Sequence, residues 1–238
     1  DDIRSYNKTD EAANVHEYYF NVWVDGKNIV EDKRGGDFTN DLRETYFLSN
    51  SSAAAGKKDT NAVSGKGVQT EVYLDDDGNI TLVYINTYLM QATGDYNTGR
   101  ETVAVTVLTG SATVNSLSSN DFEGLKDLAE DDYILYTYAN GNVQSVAKAE
   151  VLSGEVTAYS VGLKSDGVTE RDTGDASGSV TIDGTQYDYA KWAETDDENG
   201  CATTFNVGSS AALVMDAYGY VLYVDDAALS VGNYVYID

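Results

Sequence analysis

The side chains of this chain that are best suited to chemistry are carboxylates gathered in short turns. The run Asp75-Asp76-Asp77-Gly78-Asn79-Ile80 begins like a calcium-binding loop. An EF-hand loop would need an acid or amide at Tyr73, two residues before Asp75, and a bidentate Glu at its twelfth position, where Tyr84 stands. We therefore predict a hairpin turn with an acidic tip. The alternative is a weak Ca²⁺ site built from several acidic turns, which include Asp196-Asp197-Glu198 and Asp225-Asp226.

No residue pattern selects a catalytic site. His16 is the only imidazole, so a Ser–His–acid triad would have to use it, yet the chain has no Gly-x-Ser-x-Gly motif. Cys201 is the only thiol and has no His near it in sequence, which favours an incidental cysteine over a nucleophile. A glycosidase pair of carboxylates would arise by chance among 40 acidic residues. We predict that the chain is not an enzyme and has no catalytic, cofactor-binding or metal-binding residues.

Exposed aromatic side chains are the best candidates for contact with a ligand. Trp192 and Trp23 are able to stack on sugar rings, and Trp192 stands beside the polar stretch 193–200. Ile134, Tyr136 and Tyr138 instead alternate along one strand, as core or inter-module contacts do. Trp192 and Trp23 are therefore the candidate ligand-stacking residues.

Charge and hydrophobicity exclude several classes of function. The 238 residues include 15 Lys and Arg against 40 Asp and Glu, a net charge of −25, so no basic stripe is present for nucleic acid or an anionic membrane. The sequence has no run of 18 apolar residues, the length needed to span a bilayer, so we predict no direct membrane insertion. With 42% hydrophobic residues and 19 Tyr, the composition favours a folded β protein.

A strand–turn–strand pattern recurs three times and indicates how the aromatic and acidic residues are positioned. Its Gly residues are Gly78, Gly141 and Gly219, at spacings of 63 and 78 residues. Such a period is typical of an array of small related modules. The three copies are Val72-Tyr73-Leu74-Asp75-Asp76-Asp77-Gly78-Asn79-Ile80, Leu135-Tyr136-Thr137-Tyr138-Ala139-Asn140-Gly141-Asn142-Val143 and Leu213-Val214-Met215-Asp216-Ala217-Tyr218-Gly219-Tyr220-Val221.

Other local patterns complete the predicted fold. Asp25-Gly26 predicts a type I′ hairpin within 18–31, and a second Asp-Gly hairpin is predicted within 179–189. Phe122, Leu125 and Leu128, with Asn120 and Glu123 as a capping box, predict a short helix over 120–128. We predict an all-β fold with one or two short helices, in which tandem small OB-like β-barrel modules share continuous strands. The modules are expected at 1–78, with a mobile loop at 49–67, and at 79–151 and 152–238.

Three segments, 68–93, 121–159 and 179–225, resemble the β-rich regions of large bacterial surface proteins that carry S-layer homology domains. The resemblance rests on the first copy above and on Ile85-Asn86-Thr87-Tyr88-Leu89, Asp121-Phe122-Glu123-Gly124-Leu125, Tyr133-Ile134-Leu135-Tyr136-Thr137-Tyr138, Gly141-Asn142-Val143-Gln144-Ser145-Val146 and Asp216-Ala217-Tyr218-Gly219-Tyr220-Val221. It implies a secreted protein held at the cell wall by separate anchoring repeats, with this chain as an outward-facing part. It implies no catalytic residues.

The expected function is thus that of a non-enzymatic structural or interaction region of a bacterial cell-surface protein of S-layer type. The alternative is an adhesin or carbohydrate-binding module that uses exposed aromatic residues. The expected partners are other cell-surface subunits or host and glycan ligands, and the expected location is the cell wall or cell surface. Because the chain starts without Met and ends within a predicted strand, we expect it to be part of a longer protein.

Overall fold

The predicted all-β class is confirmed. The structure is a computed structural model, and it describes residues 17–35, 66–77, 79–160, 178–190 and 205–225. These residues form three sheets that are curled and include a half-barrel. The chain divides into two compact units, residues 1–86 with 138–140 and residues 87–137 with 141–238. The predicted three-module division at 78 and 151 stays a prediction.

The first unit contains a four-stranded sheet in the order β2-β1-β4-β3. Strands β1 and β4 are parallel, whereas β1–β2 and β3–β4 are antiparallel pairs. One face of this sheet is buried because apolar residues alternate along its central strands, as in the opposed residues Val22 and Leu82. The strands are β1 (Glu17–Val24), β2 (Lys27–Gly35), β3 (Gln69–Leu74) and β4 (Ile80–Ile85).

The second unit contains two five-stranded sheets. The first has the order β7-β6-β5-β8-β9 and the second has the order β12-β11-β10-β13-β14. The first is built from β5 (Tyr88–Ala92), β6 (Thr102–Val107), β7 (Ser116–Ser118), β8 (Tyr133–Ala139) and β9 (Asn142–Lys148). The second is built from β10 (Glu150–Ser160), β11 (Ser179–Ile182), β12 (Thr185–Asp188), β13 (Ser210–Met215) and β14 (Val221–Asp225).

The β13–β14 hairpin is buried on both faces, which explains its continuous apolar sequence. Leu213 and Val221 pack with β10 and β11 residues in one core cluster. Val214 and Leu222 pack instead with Leu89 and other residues of β5 and β8 in a second cluster. The two sheets of this unit therefore pack together through that hairpin.

All three copies of the recurrent pattern are hairpins, but they use two kinds of turn. Asn140 and Gly141 both have positive φ angles, 51° and 84°, and form a two-residue type I′ turn. The predicted Asp25-Gly26 and Asp183-Gly184 hairpins are confirmed and have the same conformation. The first and third copies instead carry a longer turn that begins at Asp75 or Asp216.

The prediction of a helix over 120–128 is wrong. Within 120–128 the structure has only a 3₁₀ turn, Leu125–Asp127, and the N-terminus of this turn has no side-chain cap. Gly124 precedes it with a φ of 77°, a left-handed conformation that prevents a regular helix from passing through this position. Leu125 and Leu128 are buried nevertheless. The spacing of these apolar residues therefore indicated which side chains enter the core, but not that the segment is a helix. The predicted loop at 49–67 lies almost entirely outside the described residues.

Candidate binding surface

The solvent-facing side of the first unit's sheet carries exposed aromatic side chains. Because directly paired residues share a face, Trp23 lies on the same side as Val83 and Glu71, and Tyr73 lies on that side opposite Thr81. We call this set of five residues the outer face. Trp23 is 37% exposed and Tyr73 is 55% exposed. They stand on β1 and β3, two strand spacings or roughly 10 Å apart across the sheet.

Polar groups on β3 hold one another in place beside these aromatic rings. The Tyr73 hydroxyl donates a hydrogen bond to Glu71 Oε2, and Gln69 Nε2 donates to Glu71 Oε1 at 2.8 Å. The hydrogen bond from Tyr73 to Glu71 is the larger cause, and the negative charge of Glu71 the second, that raises the pKa of the Tyr73 hydroxyl above its ordinary value. The outer face therefore combines aromatic rings with a carboxylate whose two oxygens both accept hydrogen bonds.

A buried polar contact fixes β1 to the chain that follows β4. Asp25 Oδ1 accepts a hydrogen bond from the Asn86 N–H at 3.0 Å, and Asp25 Oδ2 accepts one from Asn86 Nδ2 at 2.9 Å. The Asp25 N–H donates to the Tyr84 carbonyl, and the Asn140 N–H donates to the Asp25 carbonyl, each at 3.1 Å. Both Asp25 and Asn86 are buried. The sequence indicated only a turn residue at Asp25, because its partner is 61 residues away.

The acidic tip at Asp75 is a hairpin turn, as predicted. Asp75 Oδ1 accepts hydrogen bonds from the N–H groups of Asp77 and Asn79 at 3.0 and 2.8 Å, and Asp75 Oδ2 accepts one from Asn79 Nδ2 at 2.8 Å. The carboxylate thus caps two backbone N–H groups of the short loop, as Asp side chains commonly do in turns. Within the described ranges, no group of three His, Cys, Asp or Glu side chains is placed to hold a metal ion.

Asp216 makes the same two side-chain-to-backbone hydrogen bonds in its turn, but its carboxylate is buried whereas that of Asp75 is exposed. Asp216 Oδ1 accepts the N–H groups of Tyr218 and Tyr220, both at 2.8 Å. Its second oxygen, Oδ2, is buried and has no hydrogen-bond partner among the described residues. Burial raises the pKa of this carboxyl above its ordinary value, although the backbone N–H groups of Tyr220, Tyr218 and Gly219 act in the opposite direction.

We expect Asp216 to make stability fall as the pH rises. Its pKa is higher in the folded than in the unfolded protein, so its contribution is fully present below about pH 3.9 and is lost as pH rises through the folded pKa. Asp216→Asn keeps one oxygen for the two N–H groups and removes the titration. The difference in melting temperature, variant minus wild type, should therefore increase between about pH 4 and pH 7. A difference that stays constant across this range would contradict the assignment.

The other candidate residues from the sequence lie outside the described part of the chain. These are Trp192, His16, Cys201, the 196–198 run and Asp226. Asp225 is in β14, opposite Ala212, and its carboxylate accepts a hydrogen bond from the Tyr133 hydroxyl, whose pKa is raised first by burial and then by this contact. Trp23 lies on the outer face, and Tyr73, which was not among the predicted ligand-stacking residues, lies there too. The alternation of Gln69, Glu71 and Tyr73 along β3 was the signal available for this.

No protein-family model matches this chain, and no curated protein is similar enough to it to count as a relative. In the described part of the chain, no helix has the length and apolar character needed to cross a membrane.

Proposed function

We propose that this chain is a non-enzymatic structural and interaction region of a secreted bacterial cell-surface protein of the S-layer type, built from tandem OB-like modules. The observation that carries the proposal is that all three copies of the glycine-marked pattern are antiparallel hairpins in curled sheets. The same segments carry the resemblance to β-rich surface proteins. A net charge of −25 supports it, since mutual repulsion keeps a densely displayed protein soluble.

The location is tested by antibody labelling of intact cells of the source organism. We expect dense labelling of the outer surface, and recovery of the protein with the cell-wall fraction rather than with a cytosolic marker. Permeabilised cells provide the control, because they report total protein. Labelling that appears only after permeabilisation would contradict the proposal.

A second candidate function is glycan binding at the outer face. It is favoured by the placement of Trp23 and Tyr73 on one exposed face, beside the hydrogen-bonded Glu71. Aromatic rings next to fixed polar groups suit sugar rings, which have apolar faces and hydroxyl edges. Cell-surface display and glycan binding are compatible, so the two functions need separate tests.

We expect a glycan array to give a signal that depends on both aromatic residues. Trp23→Ala and Tyr73→Ala should each weaken binding by about tenfold, corresponding to a lost aromatic contact of about 1.4 kcal/mol. Tyr218→Ala is the matched control, because Tyr218 is 52% exposed on the β13–β14 turn and should bind like the wild type. A wild-type protein that binds no glycan on the array would rule out this function.

A further inference from the structure

Among the residues that the structure describes, strand β3 has an open backbone edge. It is an outer strand of its sheet, and its only neighbour among the described strands is β4. The Asp75 N–H donates to the Asn79 carbonyl, so these two residues form a hydrogen-bonded pair. Such pairs alternate along an antiparallel ladder. The backbone groups of Glu71 and Tyr73 therefore face β4, whereas those of Val72 and Leu74 face outward.

The opposite side of β4 gives the same assignment independently. The Tyr84 carbonyl accepts a hydrogen bond from the Asp25 N–H, so it is directed toward β1 rather than β3. Tyr84 is the register partner of Thr70. Thr70 is therefore also at a position that does not exchange hydrogen bonds with β4. Its backbone groups face outward, as those of Val72 and Leu74 do at every second position.

The side chains at this edge are apolar and exposed. Val72 and Leu74 lie on the buried face of the sheet, opposite Leu82 and Ile80. Because β3 is the outermost strand of the sheet, however, Val72 and Leu74 remain 44% and 54% exposed. A further strand beside β3 would cover both side chains and would pair the outward backbone groups at the same time.

The two outer strands of this sheet differ in how they are protected. Strand β2 includes Lys27, Lys33 and Arg34, and its pairing with β1 contains a register shift. Charges, proline and bulges are the usual means by which edge strands avoid pairing with other chains. Strand β3 has no Lys, Arg or Pro, and its register with β4 is regular over six residues. It is the edge suited to accept another strand.

The charge around β3 indicates the chemistry of the occupant. Glu71 lies on the outer face of the strand, and Asp75, Asp76 and Asp77 follow its C-terminal end. A second copy of this chain would bring the same carboxylates and another net charge of −25. We propose that β3 binds an extended segment of a partner protein in which apolar residues alternate with Lys or Arg. The apolar residues cover Val72 and Leu74, and the basic residues lie beside Glu71 and the acidic turn.

This inference names a kind of partner for the interaction region proposed above, and it rests on that proposal only for the existence of a partner. The strand-addition geometry depends on the first unit alone and holds wherever the protein is located. Binding tests in vitro and surface labelling of cells can therefore fail independently.

The test uses the whole chain and a fluorescently labelled octapeptide, Lys-Val-Thr-Val-Lys-Val-Lys-Val, with fluorescence anisotropy as the readout. Val72→Pro removes an outward N–H that the β3–β4 ladder does not use, so the strand should still form. We expect this variant to bind the peptide at least about tenfold more weakly. Val72→Lys should also weaken binding, because it repels the basic peptide. Val151→Lys, at a position that is likewise 44% exposed, is the matched control and should bind normally.

Two further comparisons identify the occupant. Replacing every Lys of the peptide by Glu should abolish binding, and raising the salt concentration from about 0.05 to about 0.5 M should weaken it. Wild-type affinity in both Val72 variants, or equal affinity for the acidic peptide, would overturn the proposal. Self-association of the peptide-free chain that Val72→Lys abolishes would also overturn it, since the occupant would then be a second copy.

Discussion

Replacing Asp25 by Ala is expected to lower the free energy of unfolding by about 3 kcal/mol. The buried Asn86 would lose the acceptors of its backbone N–H and its side-chain amide, which are 3.0 and 2.9 Å from the two Asp25 oxygens. Leaving such groups unpaired costs more than the hydrogen bonds themselves contribute. Residue 25 also has a φ of 49°, which Asp and Asn tolerate better than Ala does.

Asp25→Asn separates the hydrogen bonds from the backbone conformation. Asn accepts the same φ and keeps one carbonyl oxygen for Asn86, so the loss should be about half that of the Ala variant. Urea unfolding, followed by tryptophan fluorescence and circular dichroism, measures both variants against the wild type. Equal stability of Asp25→Ala and wild type would show that the contact does not hold β1 in place.

Replacing Gly154 by Ala is expected to destabilise the second unit by about 3 kcal/mol. A Cβ atom at this position would lie 2.5 Å from Ile182 Cγ2 and would also overlap the Asp183 carboxylate. Asp183 Oδ1 accepts the Glu155 N–H at 3.0 Å, and the Asp183 N–H donates to the Glu155 carbonyl at 2.9 Å. The added methyl group would therefore separate the β11–β12 turn from β10 and break both hydrogen bonds.

Gly94→Ala is the matched control for this substitution. A Cβ atom at Gly94 would meet no atom within 4 Å, and the backbone there is not in the left-handed region. We expect it to be neutral or to stabilise the protein by about 0.5 kcal/mol, because Ala has less conformational freedom in the unfolded chain. Equal melting temperatures for Gly154→Ala and Gly94→Ala would contradict the close packing of β10 against the turn.

The sequence predicted what depends on local chemistry. Asp25-Gly26 and Asp183-Gly184 were predicted as hairpin turns because a type I′ turn needs two residues that tolerate positive φ, and both are confirmed. The all-β class followed from the Tyr-rich composition and from the recurrent strand–turn–strand pattern. The helix over 120–128 was wrong because spacing by three also fits a 3₁₀ turn, and Gly124 in a left-handed conformation decided between them.

Long-range relations were beyond the sequence. Nothing local specifies that β1 pairs in parallel with β4, or that Asp25 meets Asn86 across 61 residues. Trp23 was selected from its residue type, whereas Tyr73 became a candidate only when the register placed it on the same face. The open edge of β3 depends on which strand is outermost in the sheet, and a strand's own sequence does not give its neighbours.

Hydrogen exchange of the β3 amides in the isolated protein tests the open edge most directly. We expect the amides of Glu71 and Tyr73, which face β4, to exchange slowly, and those of Val72 and Leu74 to exchange rapidly. Addition of the basic octapeptide should then slow Val72 and Leu74. Slow exchange at all four amides before the peptide is added would mean that the edge is already covered, and the interaction surface proposed for this chain would not exist.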